Sequence, residues 1–164
     1  MNEKQEMHGC LTLRVSDREG RTLYERPHKN RIVTSGRRLV AQLFGGVESG
    51  TPPTKVTHMA VGTNEDAPAD GDQALKAQRG DRKPISSVTY EPFDESPGTS
   101  AQVKRVRATL TAEFDFGEAN GGDPLREAGV FNAATGGVMY NRVVFPGVTK
   151  TDAFKLTLIW DIVF

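Results

Sequence analysis

Six apolar side chains, Phe154, Leu156, Leu158, Trp160, Ile162 and Phe164, occupy every second position over residues 154–164. Side chains on a strand alternate between its two faces, so this period-two run places all six on one side. A face of that kind has to be covered by a second layer or by another chain. Burying the six contributes roughly 9–18 kcal/mol at about 1.5–3 kcal/mol each, an upper bound because the unfolded chain already shields some of this area. The segment is therefore expected to be a core strand. Its other face carries Lys155, Thr157, Ile159, Asp161 and Val163, a mixture suited to a subunit contact or to an ordinary sandwich edge.

The remaining chain reads as short strands separated by turn residues. Leu11, Leu13 and Val15 alternate with Thr12 and Arg14, and Asp17-Arg18-Glu19-Gly20 turns the chain into residues 21–25, an N-terminal hairpin. Leu39, Val40, Leu43 and Phe44 make one apolar helical face, with Thr34 or Ser35 as cap and Gly45-Gly46 as terminator. Strands are expected over 56–61 and 85–90. The clearest lies at 105–116, where Val106, Ala108, Leu110, Ala112, Phe114 and Phe116 alternate with Arg105, Arg107, Thr109, Thr111, Glu113 and Asp115. Val130-Phe131 and residues 138–145 form a second hairpin around Ala134-Thr135-Gly136-Gly137, ended by Pro146-Gly147. Residues 65–81 and 91–100 read as long surface loops, the first expected to be mobile. The fold class that follows is mainly β, a compact antiparallel β-sandwich with one short helix.

The chain has 164 residues and 37% hydrophobic content, enough for a single domain over residues 10–164 behind an arm at 1–9. Basic and acidic side chains number 21 each, so no global field draws the molecule to nucleic acid or to an anionic membrane. Cys10 is the single cysteine, and no apolar run reaches the length of a signal peptide or membrane span, which points to folding in a reducing cytoplasm and no membrane insertion.

Chemistry-bearing constellations are sparse. His8, His28 and His58 have no close-spaced ligand partners, so no metal or other cofactor is expected. The glycine-rich stretch 117–123 lacks a following Lys-Ser or Lys-Thr and a helix, and reads as a strand connection rather than a phosphate loop. Ser35-Gly36 lacks the setting of a nucleophile. Glu113, Asp115, Glu118 and Asp123 depart from calcium-loop order and read as an acidic rim, while Arg37-Arg38 and Lys104-Arg105-Arg107 lack interleaved aromatics and are expected to pair with acids or with a neighbouring subunit. No catalytic residue is assigned. Glu127, beside a buried-looking strand, calls for a basic partner or backbone amides, and Arg142 is the candidate partner in a structural clasp.

Four blocks carry a family likeness. They are Asn30-Arg31-Ile32-Val33-Thr34-Ser35-Gly36 with the helix after it, Met59-Ala60-Val61-Gly62-Thr63 before an Ala/Asp/Pro loop and Ala74-Leu75, Arg126-Glu127-Ala128-Gly129-Val130-Phe131-Asn132, and Met139-Tyr140-Asn141-Arg142-Val143-Val144-Phe145. In this order the chain resembles small structural proteins of tailed bacteriophages and phage-derived particles. The third block is similar to one in tail-fibre attachment domains.

The resemblance implies a non-enzymatic virion component found in the tail, a collar or baseplate adaptor that docks fibres or neighbouring tail proteins and associates with copies of itself. The chain has no repeated shaft, which separates it from a complete fibre. Residues 1–9, 65–81 and 91–100 are the candidate contact elements. Two alternatives remain. A capsid decoration protein would bind the head lattice instead, and a carbohydrate-binding module would need an aromatic platform, for which Tyr90, Phe93 and Tyr140 are the ingredients.

Overall fold

A computed structural model describes residues 6–95, 98, 100 and 103–164. Within them the chain folds as β1 (His8–Ser16), β2 (Thr22–Lys29), β3 (Arg31–Ile32), α1 (Thr34–Gly45), β4 (His58–Gly62), β5 (Lys83–Pro84), β6 (Ser87–Glu95), β7 (Val103–Phe114), β8 (Leu125–Phe131), β9 (Met139–Val148) and β10 (Lys155–Val163). Two antiparallel five-stranded sheets result, ordered β2-β1-β10-β7-β6 and β3-β9-β8-β4-β5, and the protein is a mainly β sandwich with one helix among the described residues.

The terminal strand β10 sits at the centre of the first sheet, paired with β1 on one side and β7 on the other. Leu156, Leu158, Trp160 and Ile162 are buried against inward residues of the second sheet, among them Met59, Val61, Ala128, Val130 and Val143. Trp160 adds a hydrogen bond from its indole Nε1 to Asn30 Oδ1, 3.3 Å away. The expected core face narrows at its two ends: Phe154 is only half-buried, and Phe164 is 44% exposed rather than covered. The second sheet does not reach over that corner.

On the other face of the first sheet, cross-strand pairs hold polar groups together. Arg14 pairs with Glu25 and Arg107 with Glu91, each directly opposite in register, and Thr109 donates to Asp161 at 2.6 Å. Arg105, expected on the wet face, is buried against Glu95 at 2.8 Å, while Lys104, on the inward side with Val106, pairs with Asp94. The basic cluster at 104–107 is thus paired by the acids of β6.

Several boundaries differ from the expected ones. β6 continues to Glu95, so the first half of the expected 91–100 loop is strand, and residues 96, 97 and 99 of that candidate contact lie outside the described residues. Of the 1–9 arm, residues 1–5 lie outside them too, while His8 and Gly9 already pair with Val163 and Ile162 in β1. β9 runs through Pro146-Gly147 to Val148, which pairs with Leu125. The helix begins at Thr34 without a side-chain cap, because Ser35 Oγ instead donates to the Met139 carbonyl at 2.8 Å. Gly36 explains the close seat of α1 on β9: a Cβ there would collide with the Tyr140 carbonyl.

Candidate functional site

Two features stand out on the second sheet, one on each face. On its outer face, Glu127 and Arg142 are both fully buried, and Arg142 Nε donates to Glu127 Oε2 at 2.8 Å. Burying such a pair requires that the remaining donors and acceptors also be met. They are met by the 63–82 loop. Glu127 accepts the amides of Ala77 at 2.7 Å and Lys76 at 3.2 Å. The other guanidinium nitrogens of Arg142 reach the Asp66 carbonyl, Asp72 Oδ2 and Asn64 Oδ1, all within 3.1 Å.

The loop is therefore fastened rather than free, contrary to the expected mobility of residues 65–81. Leu75 buries itself with Val33, Ala60, Phe131 and Met139 in a small second core, and Arg82 stacks 3.6 Å over Phe131 while donating to the carbonyls of Ala133 and Gly136. Gly62 makes the close approach possible, since a Cβ there would strike the Ala77 carbonyl. Sequence reading placed the clasp at Glu127 and Arg142 but not its other partners, because Asn64, Asp66 and Asp72 look like ordinary loop polar residues.

Lys150 was missed altogether. It sits in what reads as a polar connector, yet it is 1% exposed, and its Nζ donates to the carbonyls of Asp115, Phe116 and Thr151 and to Asn120 Oδ1. Burial pulls its pKa below the ordinary lysine value. It braces the 115–123 connection from inside. Of the expected acidic rim, Glu118 pairs with Lys83, whose hydrogen bond holds the Glu118 carboxyl below its usual range. Among the described residues no three His, Cys, Asp or Glu side chains come together as a metal site.

The second feature lies between the sheets, where an open apolar groove of about 730 Å³ is walled by Leu39, Leu43, Val88, Tyr90, Ile162 and Phe164. Its origin is in the register. Val88, Tyr90 and Pro92 of β6 pair with Leu110, Ala108 and Val106 of β7, so they share the inward face of the first sheet. Opposite them the second sheet offers only the two-residue β5, and the inward face of β6 stays open. Val88, Tyr90 and Val106 are exposed as a result although they lie on the core side of their strands, and Phe164, just past the end of β10, is exposed beside them.

Across the groove, a bulge in β9 between the Val130–Asn141 and Phe131–Met139 pairings accommodates Tyr140, which is buried, lines the groove and has its phenol pKa pushed up by burial. Asn141 Oδ1 accepts the Val130 amide at 3.1 Å beside the bulge. The end of α1 forms the rim. Leu43 and Phe44, expected on the buried helical face, are exposed, Phe44 to 96%.

Tyr90, Phe93 and Tyr140 do not assemble into one platform. Tyr90 faces the groove, Phe93 points to the opposite side of β6 beneath the Arg107 guanidinium, and Tyr140 is buried.

Comparison with known proteins yields no matching family model, no matching curated protein and no matching solved structure. No helix among the described residues is long and apolar enough to cross a membrane.

Proposed function

We propose that this chain is a non-enzymatic structural subunit of a tailed-phage virion or a phage-derived particle, a tail, collar or baseplate adaptor that docks fibres or neighbouring tail proteins and associates with its own kind. One observation carries the reading: a braced sandwich presents an open apolar groove lined in part by the exposed side chains of Leu43, Tyr90 and Phe164, with the exposed Phe44 next to Leu43 on the helix. A contiguous exposed apolar surface on a folded domain marks a place where another surface binds. The resemblance of the 30–36, 59–63, 126–132 and 139–145 blocks to virion structural proteins supplies the class of partner.

The fastened 63–82 loop and the Lys150 brace suit that role, since a docking module keeps its shape when load passes through it. Repetition around a symmetric particle makes modest contacts cumulative. The test is cosedimentation of the purified chain with tails and, separately, with capsids of the phage that encodes it. Binding to tails alone supports the adaptor. Binding to capsids alone moves the chain to a head-decoration role, and binding to neither contradicts the proposal.

A further inference from the structure

The groove is lined mainly by apolar side chains, its polar groups being Lys55, His58 and the hydroxyls of Thr57, Tyr90 and Tyr140, so an occupant buries a mostly apolar surface there. Its rim carries a matching projection. Phe44 is 96% exposed, is the residue after the groove-lining Leu43, and stands on a helix whose far end is locked to β9 by Gly36. Cavity and projection thus belong to one rigid surface of the same chain, the arrangement that a two-fold pairing uses twice.

We propose that the groove is closed by a second copy of this chain, each Phe44 entering the other copy's groove between Leu43 on one wall and Val88 and Tyr90 on the other. The inference rests on the reading of the chain as a self-associating structural subunit and names the surface through which it associates. The exposed area is of the right size. With about 150–250 Å² for each large aromatic side chain and less for Leu and Val, Phe44, Tyr90, Phe164, Leu43, Val88 and Val106 together leave on the order of 500–750 Å² per copy open to solvent. A specific interface takes about 800 Å² from each partner, which these six side chains and their polar surround approach.

Charge raises no objection to self-pairing. The chain carries 21 basic and 21 acidic residues, so two copies meet without long-range repulsion. The two edges of the first sheet are poorer candidates, because β2 and β6 each carry a proline, Pro27 and Pro92, which removes a donor that edge-to-edge pairing needs.

Sedimentation equilibrium of the purified full chain over about 1–100 μM tests the proposal. The expected species is twice 17.9 kDa, and Phe44→Glu is expected to weaken the pairing by about 30-fold or more, the loss typical of a central aromatic anchor. Because Phe44 makes no core contact, its far-ultraviolet circular dichroism and melting midpoint at low concentration should match the wild type. Tyr90→Ser, on the opposite wall, should weaken pairing as well. Binding of 1-anilinonaphthalene-8-sulfonate should rise in the Phe44→Glu monomer as the groove is uncovered.

A wild-type chain that stays monomeric at 100 μM overturns the inference, as does a dimer that neither substitution disturbs. A monomer that still cosediments with phage tails overturns the inference and leaves the proposed function in place, the groove then being filled by another virion protein. A Phe44-dependent dimer that binds no particle supports the inference while contradicting the proposed function.

Discussion

Arg142 Nε and Glu127 Oε2 are 2.8 Å apart with neither side chain exposed, and between them they hold five further groups of the 63–82 loop, the amides of Lys76 and Ala77, the Asp66 carbonyl, Asp72 Oδ2 and Asn64 Oδ1. Removing one member strands the other in the interior. Glu127→Ala or Arg142→Ala is expected to cost about 3–5 kcal/mol, more than the double replacement Glu127→Leu/Arg142→Met costs per residue changed. Urea unfolding measures the loss. Trypsin cleavage at Lys76, Arg79 and Arg82 should quicken in the single variants, because the loop amides of Lys76 and Ala77 lose their acceptor.

Lys150→Met keeps the length of the buried stem and removes the three-proton donor that serves the carbonyls of Asp115, Phe116 and Thr151 and Asn120 Oδ1. A loss of about 1–3 kcal/mol is expected, since some of these acceptors can be rehydrated at the surface. Faster hydrogen exchange confined to residues 115–123 would identify the brace as the cause.

Trp160→Ala opens the largest fully buried side-chain site in the molecule, on a strand paired along both edges. A loss of about 3–5 kcal/mol is expected in denaturant unfolding. Gly36→Ala acts differently: the added methyl meets the Tyr140 backbone, which cannot rotate away, and about 1–3 kcal/mol should be lost as α1 shifts from β9.

Acidity separates two groups. Burial holds the His28 imidazole below its ordinary 6.5, so the unfolded chain takes up its proton first as the pH falls. Stability from this source is complete above 6.5 and is lost as pH drops from there through the folded pKa. Glu118, held low by Lys83, contributes stability that survives to its ordinary 4.5 and is lost below it. Thermal midpoints between pH 8 and 3 should therefore show two declines, and His28→Gln should remove the earlier one.

The strands were legible in the sequence wherever one face is oily and the other wet, as in residues 105–116 and 154–164, because period-two alternation records burial directly. The clasp was legible too, since a carboxylate and a guanidinium inside apolar runs leave few ways to be satisfied. What remained hidden depends on which element covers which. The inward faces of Val106 and Phe164 carry the same pattern as those of Leu110 and Leu158, yet β5 is too short to roof them. Leu43 and Phe44 follow the helical period of Leu39 but extend past the sheet. The fastening of residues 65–81 rests on single polar residues with no periodicity at all.

Site-resolved hydrogen exchange on the purified protein at low concentration tests the central contrast most directly, a closed centre at β10 beside an open inward face at β6. Amides of Leu156, Leu158, Trp160 and Ile162 are expected to exchange only through global unfolding, while those of Val88 and Tyr90 exchange orders of magnitude faster through local opening. Exchange of Lys155–Val163 as readily as Ser87–Glu95 would contradict the account.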